Sequence, residues 1–168
     1  MNGCSILEQY FMDQPPPNNS HCTAIYRKTL PLPTRWLLKN GYLSMYSVTL
    51  DFGCGNCMSV NPTKWDNYDP YYRPWTCWHK KCYKTIICNY VLNTLPKAEH
   101  VPVLKEIQKK LDKTGNAYIS VRNDKPKTGW GISKRRTYRS QVSLDLPIIH
   151  SNSSFQIYHL TKKNKLIP

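Results

Sequence analysis

A chain of 168 residues is long enough for one domain with one sizeable core. Its 24 Lys and Arg against 10 Asp and Glu give a formal net charge of +14, which favours polyanionic partners, nucleic acid first and acidic membrane second. No apolar run approaches the ~18 residues of a membrane span, the N-terminus lacks the basic-then-apolar pattern of a secretory signal, and seven cysteines without a sign of export do not suit a disulfide framework, so the cytoplasm is the expected location.

Residues 1–20 hold Pro15-Pro16-Pro17 and then Asn18-Asn19-Ser20, and read as a flexible arm. Residues 21–33 are mostly loop-like. A short helix is expected over 34–40, with Pro33 in its first turn, Gly41 at its left-handed end, and Trp36, Leu37 and Leu38 toward the core. Residues 47–56 (SVTLDFGCGN) carry the first chemical signal. The run 48–50 suits a buried strand, which is expected to stop at Asp51. Gly53 and Gly55 then allow a tight turn with the backbone close to a ligand, because no Cβ blocks the approach. Asp51 would accept hydrogen bonds from that ligand or hold the loop.

A second strand is expected over 65–69. Too few residues separate Gly55 from Asp69 for a full crossover helix, and Pro62 interrupts them, so a turn or loop is expected there. Residues 70–81 are aromatic, basic and irregular. A third strand, 83–90, ends in Asn89-Tyr90. The strongest helical period runs over 98–111 through Val101, Leu104, Ile107 and Leu111, with Gly115 closing its end region. A strand over 117–121 leads into Arg122-Asn123-Asp124. Residues 141–146 and 155–160 alternate as half-buried strands around a turn at Asn152, and the basic tail 162–168 is expected to fray.

This order predicts a single α/β domain over 21–161, with an open, mostly parallel sheet closed by an antiparallel hairpin. Ligands of such sheets sit beyond the carboxyl ends of the strands, where the strand order reverses. Asp51, Asp69, Asn89, Tyr90, Arg122 and Asp124 all fall at those ends. Two other patterns compete for attention. Cys54-x2-Cys57 and Cys77-x4-Cys82 have the spacing of a structural zinc site, but Cys54 lies inside the glycine turn that the ligand reading already explains, so no metal is assigned. Lys125, Lys127, Lys134, Arg135, Arg136 and Arg139, interleaved with Trp130 and Tyr138, are either a solvated loop or a nucleic-acid contact with cations on phosphates and aromatics on bases.

Four stretches, LDFGCG (50–55), YDPYYRP (68–74), IICNYVLNTLP (86–96) and AYISVRND (117–124), resemble class I S-adenosylmethionine-dependent methyltransferases. The likeness extends over about 21–160 and is nearest to the DNA phosphorothioation-associated branch. It implies a reduced Rossmann-like sheet, S-adenosylmethionine as cofactor, and methyl transfer by in-line displacement, while the charge and the basic segment point to a nucleic acid or nucleotide as acceptor. It implies that Asp51, Phe52, Gly53, Cys54 and Gly55 shape the cofactor's amino-acid end, and that Asp69, beside Pro70, binds the ribose. Asn89 and Tyr90 would sit where methyl group meets acceptor. His21 and Arg27 would fold over the active face, and Arg122, Asp124, Trp130, Arg135 and Arg136 would hold substrate. Cys57 replaces a glycine that many relatives carry, and Asn89-Tyr90-Val91-Leu92 stands where amino-methylating DNA enzymes have Asn-Pro-Pro-Tyr. These departures keep a second reading open: a non-catalytic module that binds nucleic acid or protein on the same fold.

Overall fold

The computed structural model describes residues 20–56, 65–74, 80, 82–124, 128 and 137–167. Six strands form one sheet: β1 (Thr49–Phe52), β2 (Trp65–Tyr68), β3 (Tyr83–Asn89), β4 (Leu111–Arg122), β5 (Ile148–Ser151) and β6 (Phe155–Thr161). Their spatial order is β2-β1-β3-β4-β6-β5. The first four run parallel, whereas β6 is antiparallel to both β4 and β5. The sheet is therefore Rossmann-like, mostly parallel, and closed by a C-terminal hairpin, as the sequence predicts. The chain moves from β1 outward to β2 and then returns to β3 on the other side of β1. The strand order reverses there, which places a crevice at the carboxyl ends of β1 and β3.

Period-two alternation feeds two cores, one on each face of the sheet. Leu50, Phe52, Ile86, Cys88, Ile119, Val121, Tyr158 and Leu160 meet Leu104 and Ile107 of helix α2 (Lys97–Lys110). Ile87, Tyr118, Phe155 and Ile157 meet Leu37 of helix α1 (Leu32–Lys39) on the opposite face. Helix α1 carries Pro33 in its first turn and is followed by Gly41 at φ +76°, both as expected. Leu37 is buried, while Trp36 and Leu38 pack partly buried beside it.

Four expectations need correction. Strand β1 does not stop at Asp51: that residue pairs with Asn67 on one side and Ile87 on the other, and Phe52 closes the strand. Helix α2 ends at Lys110, so Gly115 does not close it; Leu111 already opens β4. Gly115 instead sits within β4, where a Cβ would stand 2.8 Å from the Tyr83 carbonyl oxygen. Residues 141–146 form no strand, although Val142 and Leu146 are buried in the α2-side core; the hairpin partner of β6 is β5. They alternate because one side of an extended chain covers the core, without ladder pairing. The tail is also tied rather than frayed: Gln108 Nε2 donates to the carbonyls of Thr161 and Asn164, at 2.8 and 2.9 Å. The turn at Asn152 is as expected, its side chain accepting from the N–H groups of Ser154 and Phe155. The crossover around Pro62 lies outside the described residues.

Asn93 holds three pieces of the carboxyl edge together. It is buried, its Oδ1 accepts the Arg122 N–H at 2.8 Å, and its Nδ2 donates to the Ser140 carbonyl at 2.9 Å. Asn93→Ala leaves both backbone groups short of a partner, and a loss of about 2–4 kcal/mol is expected in urea unfolding. A loss below about 0.5 kcal/mol would show that the bracket is dispensable.

Candidate functional site

The loop after β1 is shaped by one carbonyl. The N–H groups of Gly53 and Cys54 both donate to the Tyr68 oxygen, at 2.7 and 3.0 Å. Gly53 and Gly55 sit at φ +74° and +61°, where a side chain is strained. Space demands glycine as well: a Cβ on Gly53 would lie 2.2 Å from a Val91 methyl, and one on Gly55 would lie 3.1 Å from Ala24 Cβ.

Two adjoining hollows flank this loop, and Ala24, Gly53 and Asn89 line both. The first holds Asp51, Cys54, Gly55, Arg27 and Thr23. The second, ≈ 310 Å³, is lined by Phe52, Tyr68, Asp69, Pro70, His21 and Tyr71 together with Val91, Leu95, Val103, Glu99 and Glu106. That volume lies at the lower bound of ordinary ligand clefts, about 300–1,000 Å³. The segment from Ser20 to Pro31 forms the outer wall. It rests on the loop through Ala24 and on the turn after β2 through His21, whose ring stacks on Tyr71 at 4.0 Å and whose carbonyl accepts the Tyr72 hydroxyl.

Asp51 is the most perturbed acid of the site. Burial pushes its carboxyl up to about 7; Arg27 opposes this and Asp69 adds to it. That carboxyl has no hydrogen-bond partner among the described residues. Asp69 differs. Its Oδ2 accepts the Gly55 N–H at 3.0 Å and its Oδ1 accepts the N–H groups of Tyr71 and Tyr72, each at 3.0 Å. Three of its roughly four acceptor positions are thus used by its own loops.

Asn89 lies on the same sheet face as Asp51, its amide fixed at both ends. Nδ2 donates to Thr34 Oγ1 at 3.0 Å and Oδ1 accepts from Ser120 Oγ at 2.8 Å. Tyr90 follows at φ +63°, a strained conformation for an aromatic residue, anchored by its N–H to the Ser120 carbonyl at 2.8 Å. That bend drops Val91 onto Gly53. Burial raises the Tyr90 phenol, while Arg27 and Arg122 lower it and Asp124 raises it slightly. Arg122 pairs with Asp124 at the exposed end of β4, which lowers the Asp124 carboxyl.

The structure therefore gathers Asp51, Phe52, Gly53, Cys54, Gly55, Asp69, Pro70, Asn89, His21 and Arg27 around the two hollows, with Tyr90, Arg122 and Asp124 beside them. Arg27 faces Asp51. Trp130, Arg135 and Arg136 lie outside the described residues, as do Cys57 and Cys77 of the cysteine pattern. Among the described residues no three His, Cys, Asp or Glu side chains form a metal cluster, and no helix is long and apolar enough to cross a membrane. Sequence reading did not find Thr34, Ser120, Ala24 or Val91. A buried Thr in the first turn of α1 carries no mark that it will meet Asn89, and only the fold brings the two together.

No family model matches the chain, and no curated protein matches it. Solved structures of similar fold exist. A DhpI–SAH complex is 7% identical, with 76% of this chain and 84% of that one covered and a TM-score of 0.49. A TehB-like SAM-dependent methyltransferase from Corynebacterium glutamicum is 17% identical, with 75% and 85% covered and a TM-score of 0.44. Magnesium protoporphyrin IX methyltransferase from Synechocystis with bound SAM is 14% identical, with 76% and 74% covered and a TM-score of 0.40. At these levels the likeness concerns the fold alone.

The raised Asp51 pKa fixes the sign of a pH effect. Its neutral form is the one the fold favours, so the stability tied to this group is full below pH 3.8 and is lost as pH rises to about 7. Asp51→Asn removes that penalty. The variant is expected to unfold at higher urea than the native protein, with the gap widening by about 2–3 kcal/mol between pH 5 and pH 8. Parallel stability profiles would show that Asp51 ionises freely.

Proposed function

We propose that the chain is an S-adenosylmethionine-dependent methyltransferase acting on a nucleic acid or nucleotide. One observation carries the cofactor assignment: Asp51, a half-buried carboxyl with no hydrogen-bond partner among the described residues, lines a hollow under a glycine turn at the reversal point of the sheet, opposite Arg27. A carboxylate and a guanidinium on facing walls complement the ammonium and carboxylate of an amino-acid zwitterion. In this reading Asp51 takes the ammonium and Arg27 the carboxylate, so Arg27 serves the cofactor and not the substrate. The remaining acceptor position of Asp69 serves a ribose hydroxyl. The apolar walls around Phe52, Val91, Leu95 and Val103 suit a flat base. Bound here, the cofactor supplies a methyl group on a cationic sulfur. Asn89, oriented by Thr34 and Ser120, and Tyr90, packed partly buried against the α1-side core beside it, would flank the position where an acceptor enters. The net charge of +14 supports a polyanionic acceptor.

A second reading has its own support. Asp69 gives three of its acceptor positions to its own backbone, which is what a purely structural acid would do. On that reading the fold is retained for binding nucleic acid or protein without turnover.

Titration calorimetry with S-adenosylmethionine separates the two. Binding is expected at pH 7.5, to be lost in Asp51→Ala, and to weaken up to about tenfold per pH unit below 7, because the protonated carboxyl no longer attracts the ammonium. A native protein that binds no cofactor, and transfers no labelled methyl group to DNA, RNA or lysate, leaves the binding module.

A further inference from the structure

The edge of the sheet opposite the glycine turn carries a concentration of charge that the site does not use. Strand β4 begins where α2 ends, and Leu111 pairs with Tyr83 at the start of β3. Thr161, the last residue of β6, pairs with Asn116 of β4, which on its other side pairs with Thr85 near the start of β3. The amino ends of β3 and β4, the C-terminus of α2 and the tail after β6 therefore converge. Lys84, Lys109, Lys113, Lys162, Lys163 and Lys165 all stand there, exposed.

These lysines are held, not trailing. Gln108 clamps the tail through the Thr161 and Asn164 carbonyls. Asn164 Oδ1 closes a local turn by accepting from the N–H and hydroxyl of Thr161. Lys162 Nζ donates to the Lys109 carbonyl at 3.2 Å, and Leu166 packs against the α2-side core. Two acids share this edge, Asp66 accepting the Tyr83 hydroxyl and Asp112 accepting the Lys113 N–H, so six lysines face two carboxylates there. None of the six lysines has a carboxylate within ion-pair distance among the described residues. A fold that fixes like charges at one edge with only partial internal neutralisation carries a self-repulsion that a polyanion relieves.

We propose that this amino edge is a phosphate-backbone docking face for nucleic acid, separate from the cleft at the carboxyl edge. Compact ammonium groups on flexible stems suit phosphate contacts that position a strand without reading its sequence. A membrane fits less well. The face offers Ile167 as its exposed large apolar side chain, whereas surface insertion needs an apolar stripe beneath the charges. The inference does not rest on the cofactor reading, because its readout is binding and its residues lie at the far edge from Asp51.

The test is a fluorescence titration of a mixed-sequence DNA duplex with the native chain and with K109Q/K162Q/K163Q/K165Q, over a range of salt. Loss of four phosphate contacts should lower the slope of log K against log salt by about 3–4 and weaken binding at least about tenfold at low salt, with unchanged unfolding behaviour. A charge-matched variant, K28Q/R35Q/K39Q/K97Q, should lose less. An unchanged slope, a loss no greater than that of the matched variant, or a native protein that binds phosphatidylserine vesicles but not the duplex would each overturn the proposal.

Discussion

The Tyr68 carbonyl, holding the N–H groups of Gly53 and Cys54 together, is the contact on which the rest of the molecule turns. It fastens the end of β2 to the loop after β1 and forces that loop into left-handed backbone. Only glycine then fits, both for φ and for the space left by Val91 and Ala24. From this grip follow the two hollows, the exposure of Asp51 to one and of Asp69 to the other, and the seat for the segment that covers them.

Stability is spent around this point in a manner that structure alone does not require. A carboxyl whose ionisation is opposed by burial sits in the central strand, and an aromatic residue holds a positive φ beside it. Both features concentrate at the sheet's reversal point, where a scaffold with no ligand would gain from an amide and a glycine. By contrast, the buried polar groups away from the cleft are satisfied: His100 meets the Leu92 and Leu95 carbonyls, and Tyr83 donates to Asp66. The contrast between relaxed framework and strained cleft is the physical basis for reading the cleft as functional.

Much of this was legible before any coordinates. Short apolar runs at 83–90 and 117–121 mark the central strands, because a parallel strand buried on both faces reads as a continuous apolar stretch. Asp51, Gly53 and Gly55 marked the loop, since a strand ending in small residues has few structural uses. What failed did so for identifiable reasons. Residues 141–146 alternate like a strand, yet their backbone pairs with no ladder, and alternation records burial rather than hydrogen bonding. Gly115 has the look of a helix stop in sequence, whereas in the fold it lets the Tyr83 carbonyl approach β4. Charge alone makes the tail look frayed, but Gln108 on α2 ties it down. The engagement of Asp69 with its own loops, and the clamp of Thr34 and Ser120 on Asn89, arise from long-range pairing that one sequence does not display.

The molecule thus has two edges of different character: a strained, acid-lined crevice at the carboxyl ends of the strands and a rigid cationic face at the other. The central claim concerns the crevice, and a crystal structure grown with S-adenosylhomocysteine tests it most directly. The account predicts density in the joined hollows, with the amino-acid ammonium on Asp51 and the nucleoside beyond Asp69. A loop closed on its own side chains, with the nucleoside absent or bound elsewhere, would contradict it.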